Sequence, residues 1–104
     1  MKPEHTPILL EQLPVGAAWS GHKVNFALLT TRVRQYVGYY NADRQLVIAS
    51  RPLDSRRWEY RQLDTAVRWD SHNTIQLFCD STGCLHVAAN MHAVPLIYFQ
   101  MTRP

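Results

Sequence analysis

His72, in the run Asp70-Ser71-His72-Asn73, and His92, in Asn90-Met91-His92, flank a stretch that reads as one tight β-hairpin. An imidazole titrates near neutrality, at about pH 6.5, so two of them at one end of a hairpin supply an acid and a base. The runs Asn73 to Cys79 and Cys84 to Asn90 are strand-like, and Asp80-Ser81-Thr82-Gly83 between them is written in turn residues. If Cys79 faces Cys84, then Asn73 faces Asn90, His72 faces Met91 and Ser71 faces His92. Opposed residues stand about 4.5–5.5 Å apart at Cβ, so both imidazoles, Asn73, Asn90 and Asp70 share one rim. A one-residue bulge would turn part of this cluster away. The ordinary reading of the same residues is that polar groups cap strand ends and bond to backbone. A zinc site built from His72, His92 and Asp70 is a further alternative, but no fourth ligand is evident, and neither metal nor cofactor is expected.

The elements that must hold this rim are strands. Apolar residues alternate with a period of two almost throughout, and no stretch keeps a 3.6-residue stripe for three turns. The expected strands are Val24 to Thr30, Arg34 to Tyr40, Gln45 to Arg51, Trp58 to Leu63, Asn73 to Cys79, Cys84 to Asn90 and Leu96 to Met101. Turn signals separate them at short, even intervals: Thr31-Arg32, Asn41-Ala42-Asp43, Pro52-Leu53-Asp54-Ser55 and Asp80 to Gly83. Residues 1–18 carry Pro3, Pro7, Pro14 and Gly16 and read as an irregular arm.

The strands repeat. A shift of 39 puts Tyr39 on Phe78, Asn41 on Asp80, Leu46 on Leu85, Ala49 on Ala88, Trp58 on Ile97 and Tyr60 on Phe99. An antiparallel meander repeating at about 40 residues is the sequence sign of β-propeller blades. The expected fold is therefore all-β: about one and three-quarter four-stranded blades over residues 19–104, blade one at about 24–63 and an incomplete blade two at about 73–101. A small seven-stranded β-sandwich is the alternative. Sheet faces that expect neighbours make the chain either a fragment or a self-associating unit.

The 104 residues form one small domain by length, 46% hydrophobic and 18% charged, with a formal net charge of +3. The positive balance favours anionic partners. Arg51, Arg56, Arg57, Arg61 and Arg68 supply most of it and read as a solvated face, and no nucleic-acid-binding motif accompanies them. Pro7-Ile8-Leu9-Leu10 is broken by Glu11 and Pro14, too short for an export signal or a membrane span, so the chain as written is expected to be soluble and cytoplasmic. Without an export signal, Cys79 and Cys84 are expected as reduced thiols.

The segments Trp19-Ser20-Gly21-His22, Trp69-Asp70-Ser71-His72-Asn73 and Asn90-Met91-His92-Ala93-Val94-Pro95-Leu96-Ile97-Tyr98-Phe99 resemble the beginning of the BNR-repeat-containing propeller family, which includes ulvan lyases and related bacterial polysaccharide lyases. The resemblance runs from about residue 19 to residue 104 and implies the N-terminal part of a seven-bladed propeller. It implies that His72 and His92 line a cleft that cleaves an acidic, uronate-containing polysaccharide or oligosaccharide by β-elimination. A tyrosine and an arginine from later blades complete that cleft and have no counterpart here, so these 104 residues alone are expected to be inactive. By the chemistry of proton abstraction next to a carboxylate, His72 would be base or acid and His92 its partner or a carboxylate neutraliser. Asn73 and Asn90 would donate hydrogen bonds to substrate, Asp70 would orient an imidazole, and His22 would join the binding surface. The reading from another class is a non-catalytic module that binds carbohydrate or assembles with other chains.

Other candidates have plainer readings. His86 lies on the same side of its strand as Asn90, which leaves two readings, a group reaching the cleft or, more ordinarily, part of a solvated face. Trp19, Trp58 and Trp69 could stack on sugar rings, but tryptophan is more often core, and Trp58 is expected there. Asp54-Ser55-Arg56-Arg57-Trp58 is a degenerate relative of the Asp-box turn of sialidase-type propellers, a hairpin brace and not a chemical group.

Overall fold

The computed structural model describes residues 6–21, 25–66, 74–89 and 96–103. It is all-β, as the two-residue period predicts. Seven strands run in chain order: β1 (Ala27–Thr30), β2 (Arg34–Tyr40), β3 (Gln45–Pro52), β4 (Glu59–Ala66), β5 (Ile75–Cys79), β6 (Leu85–Ala89) and β7 (Ile97–Gln100). They form two antiparallel meanders, a four-stranded sheet in the order β1-β2-β3-β4 and a three-stranded sheet in the order β5-β6-β7. No helix among the described residues is long and apolar enough to cross a membrane.

The core lies between the sheets. Alternate residues Tyr36, Tyr40, Leu46, Ile48 and Leu63 of the first sheet meet Ile75, Leu85, Val87 and Ala89 of the second. Tyr40 and Leu46 are among the largest fully buried side chains, and the Tyr40 hydroxyl donates to the Thr74 carbonyl at 3.5 Å. Gly38 makes the close approach of β2 to β5 possible. A Cβ there would stand 2.9 Å from Ile75 Cγ2 and 3.3 Å from Ile48 Cδ1.

The outer face of the first sheet is covered by the arm. Tyr39, Val47 and Ala49 form a second cluster there, with Val15, Val37 and Trp58 packed against it. The Trp19 amide donates to the Tyr40 carbonyl at 2.8 Å, Ala18 bridges Asn41, and the Tyr60 hydroxyl donates to the Val15 carbonyl. Trp58 packs here, half-buried and outside the main core, and its indole Nε1 finds no acceptor among the described residues. Arg51 is corrected outright: it is 6% exposed and does not belong to a solvated face. Its guanidinium pairs with Glu11 at 3.0 Å, donates to Gln35 and to the Ser55 carbonyl at 3.1 and 2.7 Å, and lies 5.5 Å from the Trp58 ring centre. All three nitrogens of the guanidinium thus have an acceptor, which is how an arginine tolerates burial.

The register of the second hairpin differs from expectation by one. Cys79 pairs with Leu85, not with Cys84. The cause is the turn. The Gly83 amide donates to the Asp80 carbonyl, the Asp80 amide donates to the Cys84 carbonyl, both at 3.0 Å, and Gly83 takes φ 86°. A turn followed by a left-handed residue absorbs one position as a bulge. The first hairpin is built the same way: the Arg44 amide donates to Asn41, the Asn41 amide to Gln45, both at 2.9 Å, and Arg44 takes φ 63°. Cys79 and Cys84 are free thiols, and burial pushes the Cys79 thiol up from its ordinary pKa.

Candidate functional site

The residue repeat is a repeat of register. Val37 pairs with Ala49 and Tyr39 with Val47; 39 residues on, Gln76 pairs with Ala88 and Phe78 with His86. The third strand breaks step. Ala49 pairs with Tyr60 whereas Ala88 pairs with Tyr98, so β7 follows β4 at 38 residues. The counterpart of Tyr60 is therefore Tyr98 and not Phe99, which points inward against the core.

This one-residue slip brings together a group that linear alignment separates. On the outer face of the second sheet, β5 presents Gln76 and Phe78, β6 presents His86 and Ala88, and β7 presents Tyr98, and together they line a shallow basin. His86 sits between two aromatic rings, its centre 5.7 Å from those of both Phe78 and Tyr98. Its Nε2 lies 2.8 Å from Asp80 Oδ2, and its Nδ1 meets the Tyr98 hydroxyl. His86 is thus engaged from both nitrogens on an exposed face.

Asp80 is fixed by the turn it starts. Its Oδ1 accepts the Thr82 hydroxyl at 2.6 Å and the Thr82 and Cys84 amides at 2.9 and 3.0 Å. The Thr82 hydroxyl foremost, then His86 and the Cys84 amide, hold its carboxyl well below the usual carboxylate range. With the carboxylate ionised, Nε2 must carry the imidazole proton, leaving the Nδ1 lone pair to accept the Tyr98 O–H. The network itself assigns this tautomer.

A second basin opens between the sheets, where Arg34, Arg61 and Arg103 stand with Ser50, Glu59 and Tyr36. Arg34 is held by Ser50 Oγ at 3.1 Å and by Glu59 at 3.7 Å. Burial raises the Tyr36 phenol above its ordinary value, so it stays a neutral donor in this cationic setting.

The residues singled out in the sequence, His72, His92, Asn73, Asn90, Asp70 and His22, lie outside the described residues. The same holds for the zinc alternative at His72, His92 and Asp70. Among the described residues there is no group of three or more side chains suited to hold a metal. Asp80, His86 and Tyr98 were missed as a group, since their proximity depends on the bulged turn and the 38-residue step.

Residues 34–104 match a family described as BNR repeat-containing family member. A search of curated proteins found no match.

Proposed function

The chain belongs to the BNR repeat-containing family, and on that premise we propose that it is a β-propeller-like unit of a protein that cleaves an acidic, uronate-containing glycan by β-elimination, with His72 and His92 at the reacting end. One observation carries this reading. By the 39-residue repeat, His72 and His92 are the counterparts of Val33 and Leu53. In the first sheet the Leu53 amide donates to the Val33 carbonyl at 3.0 Å, one step beyond the Arg34–Pro52 pair. The second hairpin keeps that register as far as the Ile75–Ala89 pair, its last described one. The same rule, extended past the described residues, would set His72 across from His92.

Chemistry supplies the rest. Removing a proton next to a carboxylate requires that the carboxylate be neutralised, that a base receive the proton and that an acid protonate the departing oxygen. Two facing imidazoles would divide the last two roles, and Asn90, two residues before His92 and so on the same face of an alternating strand, would donate a hydrogen bond to the developing enolate, whereas this register puts Asn73 on the other face. The arginines of the inter-sheet basin supply positive potential for an anionic chain.

The test is the ultraviolet absorbance of the unsaturated uronate formed on acidic polysaccharides by a complete propeller that carries these residues, with His72 and with His72→Ala; the 104 residues alone are expected to form none. Absorbance that grows with His72 present and is abolished by His72→Ala is the expected result. Equal signal from both removes His72 from the mechanism. Glycan retention without product supports the non-catalytic binding module instead.

A further inference from the structure

The inner face of the first sheet changes character along its strands. Through Tyr40, Leu46, Ile48 and Leu63 it is core. At the end where β2 begins and β3 closes, the same alternation sets Arg34 beside Tyr36 and Ser50 beside Ile48, with Glu59 and Arg61 opposite Ser50 and Ile48 on β4. The facing wall belongs to the second sheet. There the Met101 amide donates to the Leu85 carbonyl at 2.9 Å, which brings Thr102 and Arg103 to the same cleft, of about 390 Å³. Small-ligand pockets span about 300–1,000 Å³. Both walls are inner faces, so whatever packs on the outer face of either sheet leaves this cleft in place.

The charges in the cleft do not balance. Arg34 is oriented by Ser50 Oγ at 3.1 Å and stands 3.7 Å from Glu59, whose side chain is 77% exposed. Among the described residues Arg61 and Arg103 have no ion-pair partner. Three guanidinium groups therefore share one carboxylate. Neutral donors stand among them: Ser50 Oγ accepts from Arg34 and keeps its own proton to give, and burial holds the Tyr36 phenol protonated. Guanidinium forks with hydroxyls are the donors that fit a tetrahedral oxyanion. The unmatched positive charge fits a phosphate, which carries about −1.5 to −2 near neutral pH.

We propose that this cleft between the sheets binds a phosphate group, free or as the monoester of a small molecule, with Arg34, Arg61 and Ser50 on one wall and Arg103 on the other. Glu59 sets the affinity. An entering phosphate takes Arg34 from a carboxylate that holds it weakly, at 3.7 Å and largely in solvent. The site does not depend on the reading of His72 and His92, because equilibrium binding reports it and product formation does not.

Calorimetric titration at low ionic strength tests this with glucose 6-phosphate, inorganic phosphate, glucuronate and glucose. Glucose 6-phosphate should bind about tenfold or more tightly than glucuronate, which carries a single charge, and glucose should not bind. Inorganic phosphate that binds as tightly as glucose 6-phosphate assigns the cleft to free phosphate, and weaker binding assigns it to a monoester. Arg61→Gln should weaken glucose 6-phosphate about tenfold, and Arg34→Gln at least as much. Arg56→Gln removes the same charge beside Glu11, outside the cleft, and should change affinity by less than about twofold. Glu59→Gln frees Arg34 and should tighten binding, a direction that damage to the fold cannot produce. Glucuronate binding as tight as that of glucose 6-phosphate overturns the proposal, as does an Arg56→Gln loss equal to that of Arg61→Gln. Should Arg34→Gln fail to fold, Arg61→Gln and Glu59→Gln, both at exposed positions of β4, decide the matter: opposite shifts support the site, and affinity unchanged by both overturns it.

Discussion

Arg51 and Glu11 are forty positions apart in the chain and 3.0 Å apart in space, the guanidinium almost wholly buried and the carboxylate at its edge. The pair is one of the ties between the arm and the sheet it covers, beside the Trp19–Tyr40 backbone bond and the Val15 contacts. Glu11→Ala removes one of several acceptors around Arg51 and leaves those from Gln35 and Ser55 in place. The loss should therefore be modest, about 1 kcal/mol. The arm should loosen more than the sheets do: limited proteolysis should cut earlier within residues 6–18, while the urea midpoint falls only slightly. Unchanged cleavage would show that apolar contacts at Val15 hold the arm without the ion pair.

Gly38 tests the packing of one sheet on the other. An added Cβ meets the Ile75 Cγ2 methyl at 2.9 Å, and a β-branched side chain has little rotamer freedom with which to yield. Gly38→Ala should lower stability by about 1–2 kcal/mol, the overpacking penalty exceeding the entropy gained in the unfolded chain. Ile75→Leu, which has no methyl on Cβ, should recover part of that loss in the double variant. Thermal unfolding of the four proteins in the cycle measures both effects.

The strand framework was legible because alternation and turn chemistry are local properties. Asn41 and Asp80 each open a hairpin, and their types announce it. What escaped was anything that depends on a single position. The left-handed Gly83 absorbs one residue and moves Cys79 from Cys84 to Leu85, although Asp-Ser-Thr-Gly with glycine fourth was a readable signal of that bulge. The 38-residue step into β7 hides the equivalence of Tyr98 with Tyr60, and with it the chain from Asp80 through His86. Arg51 was misread for a different reason. Arginine between strand and turn usually meets water, and its partner Glu11 belongs to a segment with no periodicity to place it.

Asp80 gives the protein a pH dependence whose sign follows from its partners. Its carboxyl is held well below the ordinary value by the Thr82 hydroxyl, His86 and the Cys84 amide. A depressed native pKa contributes stability that is present above the unfolded value of about 3.9 and is lost as pH falls below it. Asp80→Asn retains the turn, as Asn41 does when its Oδ1 accepts the Asp43 and Gln45 amides at 3.0 Å, but carries no charge to titrate. Urea unfolding at pH 5 and pH 3 should therefore show a larger drop for the wild type than for Asp80→Asn. Parallel drops would mean that other carboxylates govern acid sensitivity.

The two hairpin turns also predict opposite responses to the same exchange. Each needs one residue in the left-handed region, filled by Gly83 at φ 86° in one and by Arg44 at φ 63° in the other. An L side chain in that region crowds the following carbonyl, at a cost of about 1 kcal/mol or more. Gly83→Ala should destabilise by about that amount, and Arg44→Gly should stabilise by somewhat less, because glycine also frees the unfolded chain. Denaturant midpoints for the two variants should move in opposite directions with the slope unchanged. If Arg44→Gly lowers the midpoint as well, the contacts of the Arg44 side chain outweigh the backbone strain at that turn.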